Sequence, residues 1–130
     1  MEHPNEDVLR RGYEAFSAGD MDTLRGLFTE DAVWHPGGHN QLSGERRGVD
    51  AILGYFGELM EVTNGTFRID ELHDVLANDE HAVGIHVAAG EKDGQTYHFN
   101  EILLINMSDG KFAEGWEHPG DGQAYDEFIG

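Results

Sequence analysis

Two Asp-Gly dipeptides, Asp93-Gly94 and Asp109-Gly110, each stand between runs rich in Val, Ile, Leu, Tyr and Phe. Asp-Gly supplies the two consecutive left-handed residues that a tight hairpin needs, so each dipeptide joins neighbouring antiparallel strands. The runs they connect are His81 to Ala89, Gln95 to Met107 and Lys111 to His118, the last broken by Pro119-Gly120. Thr66 to Leu76 alternates and reads as one more strand before them. The second half of the chain is therefore a meander of long strands. Ile102-Leu103-Leu104-Ile105 is apolar at four successive positions, which requires cover on both sheet faces. Helices can cover one face; a second subunit is expected on the other, making a homodimer through the sheet.

The first half is helical. Val8, Leu9, Gly12, Tyr13 and Phe16 recur at helical spacing, and Gly19 ends that helix. Asp20 caps a second helix, Met21 to Phe28. Ala32 to His35 is a short extended segment stopped by Pro36-Gly37-Gly38, and a polar loop follows. Val49 to Val62 is a third helix with Ile52, Leu53, Phe56, Leu59 and Met60 on one face. Ala124 to Ile129 forms a short terminal helix. Helices followed by a strand meander give an α+β class in which the helices pack on one sheet face.

With 130 residues, the chain fits one domain, residues 1–130. Its formal net charge of −18 provides no basic footprint for nucleic acid and repels an anionic membrane. No apolar run approaches the ~20 residues of a membrane span, and no leader pattern opens the chain, so the cytoplasm is the expected compartment. There is no cysteine. No H-E-x-x-H pattern or phosphate-binding glycine loop is present, so neither metal nor cofactor is expected.

The order of elements, together with Ala18-Gly19-Asp20, Leu27 to Trp34, Arg47 to Ile52, Leu72 to Ala77 and Asp109 to Glu117, resembles the nuclear transport factor 2-like superfamily. Within it the chain is similar to the SnoaL-like polyketide cyclase and ketosteroid isomerase-related branch. The resemblance implies a cone-shaped α+β barrel, with the helices packed in a curved antiparallel sheet and a ligand pocket inside. It also implies a cofactor-independent acid/base enzyme, of isomerase, cyclase or dehydratase type, acting on a small apolar carbonyl compound or polyketide. The alternative on the same fold is a non-catalytic binding or accessory protein.

Candidate site residues follow from that resemblance. The isomerases place an aspartate base before a proline at the end of the first strand, where this chain has His35 before Pro36; histidine suits proton transfer near neutral pH. The cyclases place an acid after a tryptophan on the last strand, where this chain has Trp116-Glu117, and a histidine on the neighbouring strand, where this chain has Leu103. Glu101 stands near the isomerases' protonated carboxylic acid, and Tyr13 near their oxyanion-stabilising tyrosine. His86 shares a face with Gly84 and Ala88, small neighbours that leave room for a ligand. Phe16, Trp34, Phe56, Leu59, Met60, Phe99, Leu103 and Trp116 complete the expected pocket lining.

One ambiguity concerns the last hairpin. A three-residue loop at Ser108-Asp109-Gly110 would pair Glu101 with Glu117 and put both carboxylates on one face. A two-residue turn would pair Glu101 with His118 and bring Glu114 to that face instead.

Overall fold

The computed structural model describes residues 3–130. In chain order the elements are α1 (Pro4–Ala18), α2 (Met21–Gly26), β1 (Phe28–His35), β2 (Arg46–Arg47), α3 (Val49–Val62), β3 (Arg68–Ala77), β4 (His81–Lys92), β5 (Gln95–Ser108), β6 (Lys111–Pro119) and α4 (Gly122–Ile129). The strands form one six-stranded sheet in the order β2-β1-β6-β5-β4-β3, wrapped around the helices. The meander β3 to β6 is antiparallel throughout, whereas β1 lies parallel to β6, so the sheet is mixed. α1 packs on β3 and β4, and α3 packs on β1 and β2.

Local chemistry sets the boundaries. The side chain of Asp20 accepts from the Thr23 backbone N–H and caps α2. That helix is shorter than its sequence suggests, because Phe28 is recruited into β1, where it pairs with Phe112. The short strand β2 arises in the expected polar loop, with Arg46 and Arg47 opposite Trp34 and Val33. Gly19 closes α1 in the left-handed conformation at φ 69°.

Both Asp-Gly pairs form two-residue hairpin turns, with φ of 52° and 79° at Asp93-Gly94 and 51° and 76° at Asp109-Gly110. Ser108 therefore pairs with Lys111 and Met107 with Phe112, but Asn106 then pairs with Glu114. Ala113 is an extra residue in β6, a β-bulge. The bulge restores what the tight turn alone would lose: Leu103 pairs with Glu117, Glu101 with Pro119, and both glutamates face inward. Neither simple turn gives this pairing, although the inward face is the one a three-residue loop would have chosen.

α4 lies at the end of the concave side. Phe99 points inward, but its ring is met by Tyr125 and Phe128 of α4, each with ring centroids 5.3 Å away. Among the described residues, no helix covers the convex face. Ile102 is 48% and Leu76 51% exposed there. Val83, Ile85 and Leu104, their cross-strand partners and neighbours, are half-buried.

Candidate functional site

The concave side holds a half-open cavity of about 80 Å³, room for roughly six water-sized groups. Its wall is mainly apolar, with Phe16, Phe28, Trp34, Phe56, Phe67 and Phe112 prominent. Two glycines make the interior possible. A Cβ on Gly84 would overlap the Tyr13 hydroxyl, and one on Gly115 would overlap the Trp34 indole. Glycine in mid-strand thus marks close approach by a side chain from another element.

Five polar side chains break the apolar wall: Tyr13, Trp34, His86, Glu101 and Glu117. They form two connected sets. In the first, the Tyr13 hydroxyl lies 2.6 Å from His86 Nδ1, and His86 Nε2 lies 2.9 Å from Glu101 Oε1. Burial first, and then the charges of Glu101 and Glu117, push the Tyr13 hydroxyl well above its ordinary pKa. Tyr13 therefore keeps its proton and can donate it to Nδ1. A neutral His86 that accepts there would donate its Nε2–H to Glu101. Both His86 and Glu101 side chains are only 6% exposed. Glu101 Oε2 accepts no hydrogen bond among the described residues.

The second set converges on Glu117. Trp34 Nε1–H donates to Oε2 at 2.7 Å, the Tyr55 hydroxyl to Oε1 at 2.8 Å, and the Gly37 backbone N–H to Oε1 at 3.3 Å. These donors favour the ionised form, but burial and the nearby Glu101 outweigh them and raise the carboxyl from 4.5 to about 7. Some Glu117 surface remains accessible because it borders the cavity. Burial and Glu117 likewise hold the Tyr55 and Tyr125 hydroxyls in the protonated form.

The structure brings Tyr13, Phe16, Trp34, Phe56, Leu59, His86, Glu101, Leu103 and Glu117 to one cavity. It places His35 elsewhere. His35 follows Trp34 in a strand, so with Trp34 inward the imidazole projects from the convex face. There it stacks on Trp116, at an interplanar angle of 6°, and bonds Glu114 at 2.7 Å. His35 and Trp116 thus do not line the pocket, for the same alternation that brings Trp34 and Glu117 into it. Phe99 is taken up by α4, and Met60 packs at the edge of the core instead of reaching the cavity. His35, Glu45 and Glu114 can bring one ligand atom each within 4.8 Å of one another, but Glu45 is already chelated by Arg47.

Sequence reasoning missed Tyr55 and the Gly37 N–H, both of which hold Glu117. Tyr55 had a readable signal, since it lies three residues after Ile52 and four before Leu59 and so shares their helix face. The Gly37 contact depends on how the loop after β1 folds back, which no spacing encodes.

The comparisons agree with this architecture. The model of the SnoaL-like domain matches residues 9–115. An uncharacterized protein of Mycobacterium tuberculosis is 28% identical over 123 residues, 94% of this chain and 93% of that protein. The solved structure of Bal32a, from a soil-derived mobile gene cassette, is 37% identical with a TM-score of 0.91, covering 98% of this chain and 97% of that one. An NTF2-like protein from Burkholderia xenovorans shares the fold at 19% identity, with a TM-score of 0.83 over 100% of this chain and 98% of that one. A helix-filled cone, an interior cavity and a family match over most of the chain lead to one assignment: the protein belongs to the SnoaL-like family of the NTF2-like fold.

Proposed function

We propose that the cavity is the active site of a cofactor-independent acid/base enzyme that moves a proton on a small, mostly apolar carbonyl compound. The observation that supports this most is the pairing of two differently held carboxylates, Glu101 and Glu117, on an otherwise apolar wall. They are diagonal neighbours on adjacent strands, close enough to face one small molecule. Glu101 is fixed by His86 and presents a free Oε2, the position of a general base. Glu117, raised to about 7, still carries a proton near neutrality and is the general acid. Glu101 removes a proton from the carbon next to the carbonyl while Glu117 protonates the carbonyl oxygen, giving an enol. Return of a proton at another carbon completes an isomerisation. Attack by the enol carbon, or loss of a β-hydroxyl, would give a cyclase or a dehydratase.

The test is loss of α-protons from single-ring ketones in D₂O, followed by proton NMR. Exchange above the buffer rate that requires Glu101 and Glu117 supports an enzyme. Exchange at the buffer rate for every ketone overturns it in favour of a binding or accessory protein.

The same reading includes a homodimer formed through the convex face, where Leu76, Val83, Ile85, Ile102 and Leu104 form an apolar stripe that a second copy would cover. Light scattering is expected to read twice the 14.4 kDa chain mass, falling to one chain in Ile102→Lys.

A further inference from the structure

We propose that the cavity selects a small protonated amine with an apolar body over a neutral or anionic molecule of the same shape. This rests on the cavity being the ligand site proposed above, and it narrows the carbonyl compound to one that also carries an amine.

The first argument is an inventory of donors and acceptors. Among the polar side chains on the wall, the hydroxyl and ring N–H groups are already engaged within the protein, which leaves the Glu117 carboxyl, when protonated, as the donor. Tyr13 and His86 are hydrogen-bonded to each other, His86 to Glu101, and Trp34 donates to Glu117. Tyr55, behind the wall, also donates to Glu117. What remains open toward the cavity is acceptor capacity. Glu101 Oε2 is unpartnered in a side chain that is only 6% exposed. Glu117 has accepted three donors, and a carboxylate has about four acceptor sites. A ligand that brings donors completes this wall. A ligand that brings only acceptors finds a free donor only when Glu117 itself holds a proton.

The second argument is charge. Among the described residues no lysine or arginine lines the cavity, and the His86 ring is already engaged by Tyr13 and Glu101. Two carboxylates in an apolar enclosure are costly unless a positive charge or a proton compensates them. A bound ammonium supplies the charge, while a carboxylate or phosphate would add to the repulsion. The third argument is the lining itself. Phe16, Phe28, Trp34, Phe56, Phe67 and Phe112 line the cavity with aromatic rings, which suit the apolar body of such a ligand and can attract a cation placed over a ring face. The cavity volume of about 80 Å³ limits that body to about the size of a single ring.

An ammonium and the Glu117 proton compete for the same negative charge, so binding should depend on pH. The groups that face Glu117 are Tyr13 from α1, Trp34 from β1, Tyr55 from α3, His86 from β4, Glu101 from β5 and Tyr125 from α4. Among these tyrosines, burial keeps Tyr13, Tyr55 and Tyr125 protonated, which leaves the carboxylates as the source of negative charge.

The experiment uses three probes of one shape: benzylamine, benzyl alcohol and benzoate, titrated calorimetrically into the full chain. At about pH 7.5, benzylamine is expected to bind at least about tenfold more tightly than benzyl alcohol, with no binding of benzoate. Benzylamine affinity is expected to rise about tenfold from about pH 6 to about pH 8 while that of benzyl alcohol stays level. Glu101→Gln and Glu117→Gln should each reduce the preference, with circular dichroism confirming the fold. Should either variant fail to fold, the wild-type pH series decides. Equal binding of benzylamine and benzyl alcohol, binding of benzoate, no binding of any probe, or a flat pH series overturns the proposal. So does a preference that survives both substitutions, since it would then belong to the acidic surface. Loss of the amine preference with ketone exchange intact would leave the proposed enzyme standing and remove only this ligand class.

Discussion

Replacing Glu117 by Gln is expected to lower α-proton exchange by about 10² to 10⁴-fold, the usual contribution of one positioned general acid or base. The amide keeps the shape and one acceptor for Trp34 or Tyr55, so the change removes the proton more than it removes the packing. Glu101→Gln is expected to cost a similar factor by a different route. It deletes the base and leaves His86 Nε2–H facing an amide whose orientation is not fixed by charge. The two losses should not multiply in the double variant, because both groups act in the same enolisation step. His35→Gln should leave exchange unchanged, since its ring lies on the other side of the sheet against Trp116 and Glu114. The NMR exchange assay on wild type and these four variants checks all four expectations.

The second large effect concerns stability. Glu117 is raised to about 7 in the folded chain from an ordinary 4.5. Between those values the folded state binds the proton and the unfolded state has lost it. Stability therefore falls as pH rises through this window, and the full penalty is present above the folded value. Glu117→Gln escapes that penalty. Relative to wild type, the variant is expected to gain about 2–3 kcal/mol between about pH 5 and about pH 8. The neutral amide loses a charge-assisted bond, so its absolute stability at one pH is a separate matter; the difference across pH carries the effect. Urea unfolding of both proteins at the two pH values measures it. The chain's net charge of −18 affects both proteins nearly equally and largely cancels in the comparison.

Much of the fold was readable because its signals are local. Two Asp-Gly turns, the Gly19 helix stop and the 49–62 periodicity each fix an element by chemistry within a few residues. The site was less readable because it depends on which face a strand turns inward. One unpaired residue, Ala113, decides that Glu117 rather than Glu114 enters the cavity, and nothing in its sequence neighbourhood announces a bulge. His35 was drawn in by its place before Pro36, yet Trp34 beside it has the larger apolar surface to bury and takes the inward position. His86 is singled out in the sequence because Gly84 and Ala88 leave room beside it for a ligand, but the space over Gly84 is filled by the Tyr13 ring. Tyr55 and the Gly37 N–H could be assigned to Glu117 only once α3 and the loop after β1 were in place.

The central claim is that Glu101 and Glu117 act as an unequal pair, one holding a proton near neutrality inside the cavity. The most direct measurement is a carbon-13 NMR titration of the side-chain carboxyls in protein labelled at glutamate, run on wild type and Glu117→Gln. One carboxyl resonance is expected to titrate near 7 in wild type and to be missing in the variant. A wild-type spectrum in which every glutamate carboxyl titrates in the ordinary acidic range, at about 4 to 5, would contradict the pair and the acid/base site built on it.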